Sequence, residues 1–486
     1  MCFPPRHPVG GSEVIRMSAV RHRYMTQTDY MSWRMEQDPI LRSTIVAVAL
    51  LDRNPDWTRF VDMMNRGTQH IPIFRRKVVT DPMSPAPPYW VTDPDFDLSW
   101  HIRRFAVPAA GGWDAVLDFA RTAGMTAFDK DRPLWEFTVL SGLDSGQAAL
   151  VMKVHHSLTD GVGGMQIARE IVDFTREGTT RAEPAPTGRA REAEPGARSG
   201  LAWYRDTATN FARRASTAVA LHSAELARHP ADALRNTTTV LGSITRFTRP
   251  VVTTLSPVMT KRSTRRRFAV LDVPVEALGR AAALGGGSIN DAFLASVLRG
   301  MARYHRLHGV DVPQLRLTLP ISLRSADDSL GGNHITLARF GLPTDIGDPT
   351  ELIRSVHATV DVWRNEPAVA LSPTIAGALN LLPASTLGNM LKHVDFVASN
   401  VVGSPVPLFI AGSEVLRYYA FSPTLGSAFN VTLMSYTSQC CVGIDADTEA
   451  VPDLDALTAC LADGFRDVLA LCPDAQDVAA THVWTN

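Results

Sequence analysis

The sequence predicts a mixed α/β protein (α+β by some schemes) built in two halves. Three observations lead there. Short Val-rich apolar runs alternate with longer stretches of helical periodicity. Residues 176–200 are rich in Arg, Glu, Pro, Ala and Gly without periodicity, which reads as a flexible linker. A second series of strands and helices then begins near Arg267. At 486 residues the chain is long enough for two or three domains and a core that needs no disulfide.

In the first half, residues 44–50 are nearly all apolar and read as a strand, and residues 57–68 as a helix. A Pro-rich turn at 82–88 precedes a strand at 100–108 and a helix that ends at Gly124. Residues 134–142 and 147–156 are two strands joined by a turn, the second apolar enough to lie centrally in a sheet. Beyond Gly161, the residues Met165, Ala168, Ile171 and Val172 form a stripe at helical spacing. Residues 201–248 are helical in character with Arg-rich flanks. The second half opens with the strand "RRFAVLDVP" and the helix "VEALGRAAAL". A long amphipathic helix follows, capped by Ser288 and closed by Gly309, and then the strand "LRLTLPISLR". Further strands are expected at 335–339, 394–402, 430–434 and 440–444, with a closing helix at 452–471. The expected divisions are a disordered extension (1–24), an N-terminal lobe (25–175), a linker with a basic helical crossover (176–262) and a C-terminal lobe (263–486).

Composition excludes several classes. Apolar residues make up 45% and charged residues 20%, with a net charge of -1, so nothing suggests a nucleic-acid binder. Only Cys2 precedes Cys440, Cys441, Cys460 and Cys472, which is neither a disulfide framework nor a zinc-site spacing. That usage fits a reducing cytosol. No apolar run approaches the roughly 18 residues that span a bilayer. Residues 198–268 nevertheless hold 13 Lys and Arg against 3 Asp and Glu. Within them Lys261, Arg262, Arg265, Arg266 and Arg267 have no acid close in sequence, so a strong local positive potential is expected, suited to anionic lipid or to phosphates.

The strongest local signal is "VHHSLTDGVGG" at 154–164, where an apolar strand ends in two histidines. A histidine can take a proton from a hydroxyl and return it, because its pKa lies near neutrality. Neighbours on an extended strand point to opposite faces, so one of His155 and His156 faces the reaction and the other packs. Asp160 is placed to restrain an imidazole tautomer or to pair with an arginine and fix the turn; spacing is compatible with both. No G-x-S-x-G elbow accompanies the pair.

"HHSLTDG" matches the HHxxxDG signature of coenzyme A-dependent acyltransferases, and the surrounding chain resembles the bacterial wax ester synthase/diacylglycerol acyltransferase family. Seven blocks in order carry the resemblance over about residues 25–471. They include "MTQTDYMSWRMEQ", "DPDFDLSWHIRRFAVPAAGG", the PLW motif at Pro133, Leu134 and Trp135, and the Asn-Asp motif at Asn290 and Asp291. "GGNHITLARFGLP", with Asn333, and "DFVASNVVGSPVPLFIAGSEV" are others. Two departures stand out: Val402 occupies the family's proline position, and "TKRSTRRRF" replaces a less basic segment.

The resemblance implies a two-lobed fold like chloramphenicol acetyltransferase, with a channel between the lobes. It implies an O-acyltransferase that uses long-chain acyl-CoA as cosubstrate, with no bound cofactor and no metal. The acceptor would be diacylglycerol or a long-chain alcohol. His156 would be the general base, His155 mainly structural and Asp160 a brace for the loop; Gly161 would let the backbone turn tightly beside the base. Pro133, Leu134, Trp135, Asn290, Asp291 and Asn333 would line or brace the channel. The expected setting is cytoplasmic, with peripheral contact at an anionic membrane or lipid-droplet surface. Two alternatives share the lobes: transfer to a non-lipid alcohol or amine, and a lipid-binding paralogue without turnover.

Overall fold

A computed structural model describes residues 24–81, 86–108, 112–179, 251–323, 335–472 and 483–485, with isolated residues between 205 and 246. The expected extension before residue 24, most of the linker with its helical crossover, and Asn333 lie outside the described residues.

The "TIVAVALL" run forms β1 (Thr44–Leu51) in the middle of a six-stranded sheet. β2 (Arg76–Val79) and β3 (Tyr89–Thr92) make a separate two-stranded ribbon. β4 (Ile102–Ala106), β5 (Trp135–Ser141) and β6 (Ala148–His155) lie to one side of β1, with β6 its direct antiparallel neighbour. β6 is buried on both faces, as its unbroken apolar run implies. The helices Trp57–His70 and Gly161–Ile171 cover one face of this sheet, crossing so closely that a Cβ on Gly67 would lie 2.9 Å from Ile171 Cγ1. Helix Gly112–Met125 covers the other face.

The second half supplies β7 (Arg266–Pro274), β8 (Gln314–Ser322), β9 (Ile335–Pro343) and β10 (Phe396–Val401). It continues with β11 (Phe409–Ile410), β12 (Ser413–Phe421), β13 (Phe429–Tyr436), β14 (Gln439–Asp447) and β15 (Val483–Thr485). Seven of these form a mixed sheet in the order β15-β7-β14-β13-β10-β8-β9. Helix Ile289–Leu307 is almost wholly buried against helix Leu454–Leu469. Its Ser288 and Asp291 close a capping box at the start.

β11 and β12 do not join that sheet. They extend the first one, β12 pairing antiparallel with β1 from Val46↔Phe421 to Leu51↔Val415. The expected C-terminal lobe therefore lends two strands to the N-terminal sheet. β12 was not anticipated because "EVLRYYAF" follows a Pro/Gly-rich stretch and carries Arg and Tyr among its apolar residues, without clean alternation. Where β12 passes over β14, a Cβ on Gly443 would come 2.2 Å from the Ala420 carbonyl oxygen, so only glycine permits this approach. Tyr419 Oη donates to Asp272 Oδ1 at 2.8 Å and Arg417 Nε to Asp272 Oδ2 at 2.7 Å, fastening β12 to β7. Phe268 and Phe421 stack with centroids 4.2 Å apart, a contact worth about 0.5–1.5 kcal/mol.

The basic tract departs from expectation. Its acids come from far along the chain: Arg265 pairs with Glu449, and Arg267 with Asp455 at 3.2 Å. Arg262 is mostly buried and donates to the carbonyls of Gly426, Val394 and Met259. Arg266 sits beside Asp445, and Asp447 accepts from Ser263. β14 and the residues after it thus supply the compensating charge that local sequence lacks.

Among the described residues no single helix is long and apolar enough to cross a membrane. The helices Val275–Leu284 and Ile289–Leu307 pass that test only as a pair bent by 91°, and both pack in the second core. Cys440 and Cys441, on opposite faces of β14, are fully buried thiols pushed up to about 12 by burial.

Candidate active site

β6 ends at His155, and the two histidines part as strand geometry requires. The His155 N–H donates to the Leu134 carbonyl at 3.0 Å and the His156 N–H to the Ser43 carbonyl at 2.8 Å. His155 turns into the N-terminal half. Its Nδ1 accepts from the Ser157 N–H at 3.1 Å and lies 2.7 Å from Ser157 Oγ. The ring proton is therefore carried on Nε2, which faces Glu36 Oε1 at 3.4 Å. Trp33 and Phe128 meet the ring edge-on. Burial would raise the Glu36 carboxyl, but His155, the Ser43 N–H and Arg42 outweigh it and hold it below the ordinary range. Glu36 also accepts the Ser43 N–H at 2.7 Å, so one buried carboxylate ties down both His155 and the segment that anchors His156.

His156 faces a large cavity between the two halves. Its Nδ1 is buried without a hydrogen bond of good geometry. Burial drives its pKa down to about 4; Asp160 and the ring's own main-chain carbonyl oppose the shift, and His155 adds to it. Desolvation thus favours the neutral ring, the form that can accept a proton. Asp160 is fully buried, and its Oδ1 accepts the Gly163 N–H at 2.7 Å as the N-cap of helix Gly161–Ile171. It thus fixes the turn and places negative charge near the imidazole.

Gly161 serves differently from the expected tight turn. It has no positive φ. What requires glycine is the neighbouring lobe: a Cβ there would lie 2.8 Å from Val401 Cγ2 on β10.

The cavity holds about 1640 Å³ of space, its open ends included. One part runs along the first sheet, floored by Ile45, Ala47 and Ala49 of β1 and Leu150, Met152 and Val154 of β6, and roofed by Phe60, Met63 and Ile167. From Ile45 to Ala49 it follows β1 for about 13 Å. The small Ala47 and Ala49 leave the space that larger residues would fill. The other part lies between the halves, where Ser399, Asn400 and Asn430 give it a few polar groups.

The remaining sequence candidates stand behind the site. None of Pro133, Leu134 and Trp135 lines the cavity. Leu134 receives the His155 N–H, and Trp135 is fully buried, stacked on Phe74 and His101, with Nε1 donating to the Phe74 carbonyl at 2.8 Å. Asn290 and Asp291 start the buried helix of the second half; Asp291 Oδ2 accepts from the Ser288 N–H and lies 2.9 Å from His357 Nδ1. Neither touches the cavity. Sequence reasoning gave no role to Glu36, which meets His155 only through the fold, to Ser43, or to Ser157, which sits inside the HHSLTDG signature and bonds the histidine two residues before it. Among the described residues no cluster of His, Cys, Asp or Glu could hold a metal.

The wax ester synthase/diacylglycerol acyltransferase catalytic domain matches residues 25–293, and the C-terminal domain of the same family matches residues 331–468. A Mycobacterium tuberculosis protein, provisionally named a diacylglycerol O-acyltransferase, is 33% identical over 456 residues, 91% of each chain. A second protein of that organism and provisional name is 27% identical over 433 residues, 83% of this chain and 88% of its own. Among solved structures, the wax ester synthase/diacylglycerol acyltransferase of Marinobacter aquaeolei superposes with a TM-score of 0.60 at 20% identity, over 92% of this chain and 99% of its own. The first condensation domain of the calcium-dependent antibiotic synthetase superposes at 0.59 and 17% identity, over 96% and 99%. The fold is thus the two-lobed chloramphenicol acetyltransferase type.

Gly161→Ala is expected to force Val401 aside and separate the lobes beside His156. Val401 is stiff at χ1, so overpacking should cost about 1–3 kcal/mol. Thermal melting should show the loss, and Val401→Ala in the same chain should recover part of it; an unchanged melting temperature for Gly161→Ala would remove this role.

Proposed function

The chain belongs to the wax ester synthase/diacylglycerol acyltransferase family and is an acyltransferase; from that premise we propose that it moves a long-chain acyl group from acyl-CoA to diacylglycerol or a long-chain alcohol, with His156 as general base. The observation that carries this reading is a half-buried imidazole at the end of β6, on the wall of an apolar cavity between the halves, where desolvation favours its neutral form. Nε2 of His156 takes the proton of the acceptor hydroxyl as its oxygen attacks the thioester carbonyl carbon. The tetrahedral intermediate collapses with cleavage of the C–S bond, and the departing thiolate recovers the proton from the imidazolium. His155, held by Glu36 and Ser157, and Asp160, held as a helix cap, keep the ring in place without touching substrate.

The apolar arm along β1 and β6 suits the acyl chain. Each methylene taken from water into it contributes about 0.8 kcal/mol, so a long chain gains most. Peripheral contact with a membrane or lipid-droplet surface would deliver both substrates. Neutralisation of most of the basic tract by distant acids makes that tract a weak basis for the contact.

Three measurements test the proposal. With radiolabelled palmitoyl-CoA and a panel of diacylglycerol, fatty alcohols and small polar alcohols, His156→Ala is expected to lose roughly 10²–10⁴-fold in ester formation. Circular dichroism should be unchanged; a folded variant that keeps more than about a tenth of the wild-type rate would exclude His156 as the base.

The second is the pH profile. The base acts when neutral and is protonated only below about 4, so kcat/KM should hold well below pH 6.5 and fall with an acid limb near 4. A limb centred at 6.5 or above, with the fold intact, would contradict the desolvated neutral ring.

The third concerns the arm. Ala49→Phe should obstruct its far end and lower turnover of palmitoyl-CoA by about tenfold or more while sparing butyryl-CoA. An unaltered chain-length profile would place the acyl chain elsewhere.

A further inference from the structure

A second, smaller cavity lies where the start of β1, helix Gly112–Met125, β7, β14 and the turn after β12 converge. It holds about 840 Å³ of space, open ends included, and shares Pro423 with the His156 cavity. Five buried polar atoms on residues of its wall have no hydrogen-bond partner: Arg42 Nε, Arg266 Nη1, Thr44 Oγ1, Thr424 Oγ1 and Asp445 Oδ1. Thr424 is 1% exposed, Thr44 5% and Asp445 8%. Folded proteins pair more than nine in ten of their buried polar groups, so five orphans around one cavity call for polar partners there, water or a ligand.

The guanidinium groups are held in place by their other nitrogens. Arg42 Nη1 donates to the Met125 carbonyl and Arg266 Nη2 to the Ile40 carbonyl at 3.3 Å. The unused Arg42 and Arg266 nitrogens can only donate, the hydroxyls donate or accept, and a carboxylate oxygen accepts. An anion meets the two arginines; a carboxylate beside them would repel a bare anion but takes a hydroxyl proton. A phosphate ester with a neighbouring hydroxyl suits all five: its phosphate oxygens accept from Arg42, Arg266 and the Thr44 and Thr424 hydroxyls, and its own hydroxyl donates to Asp445.

We propose that this cavity is a binding site for such a hydroxyl-bearing phosphate ester, set beside the His156 cavity with Pro423 as a wall of both. Two sources share the chemistry: the 3′-phosphoribose of coenzyme A and the glycerophosphate of a lipid head group. The identity of the source rests on the acyl-transfer reading, whereas binding itself is independent of it.

Calorimetric titration of the whole chain tests the site without turnover. The ligands are coenzyme A, 3′-dephospho-coenzyme A and glycerol 3-phosphate; the proteins are wild type, Arg266→Gln and Thr424→Val. The expected result is that Arg266→Gln weakens one phosphate ligand by about tenfold or more and Thr424→Val weakens it by a smaller factor. If the source is coenzyme A, the dephospho form should bind wild type as weakly as coenzyme A binds Arg266→Gln. If the source is a head group, glycerol 3-phosphate should show the loss and the two coenzymes should bind alike. Thr424→Val exchanges a hydroxyl for a methyl of equal size, so it carries the test should Arg266→Gln fail to fold. Affinities of coenzyme A and glycerol 3-phosphate within twofold of wild type in the folded variants would overturn the proposal, with the cavity then holding only water. An inactive His156→Ala that still binds a phosphate ligand at this site would leave the site standing and separate its fate from that of the catalytic reading.

Discussion

Everything at the site depends on one strand that serves two sheets. β12 is hydrogen-bonded to β1 in the first sheet and packed across β14 of the second, with Gly443 allowing contact at the Ala420 carbonyl. Backbone hydrogen bonds fix its register and leave little freedom for one half to slide on the other. Asp272, reached by both Arg417 and Tyr419, and the Phe268–Phe421 stack add side-chain anchors to the same seam. Because Ala420 and Tyr418 line the cavity, the joint between the halves is also part of its wall.

That joint bears on the electrostatics of His156. His156 comes from the first half, but the cavity that it faces is walled by β10 and β13 of the second. Desolvation is the largest influence on its ring, and it favours the neutral form that can accept a proton. Asp160 sits near enough to oppose the shift, which stabilises an imidazolium when one forms. The same carboxylate is committed to capping a helix, so its position does not depend on the histidine's protonation. On the other side of the strand end, Glu36 and Ser157 hold His155 in a single tautomer. The adjacent histidines thus divide the work, one locked by hydrogen bonds and one left with a free edge.

The two cavities meet at the turn that carries the chain from β12 into β13. Leu425 and Gly426 take positive φ there, at 50° and 83°. This sharp reversal puts Pro423 between an apolar space along the first sheet and a polar space under the basic tract.

The mixed two-half architecture, most strands and the parting of the histidine pair at a strand end were legible in the sequence, because apolar periodicity and strand alternation are local properties. β6 ends at the histidines as its apolar run implies, and Ser288 caps the long helix where the pattern starts. Family resemblance, carried by motifs in order along the chain, added the lobed fold and the expectation of a different part for each histidine. What the sequence did not contain were facts about pairs of residues far apart in it. The exchange of β12, the demand of Val401 for glycine at 161, and the neutralisation of Arg265 and Arg267 by Glu449 and Asp455 all join segments far apart along the chain. The arginine tract shows the reason most plainly. Charge along a sequence counts only neighbours in the chain, whereas Coulomb interactions depend on distance in space, and only the folded chain sets that distance.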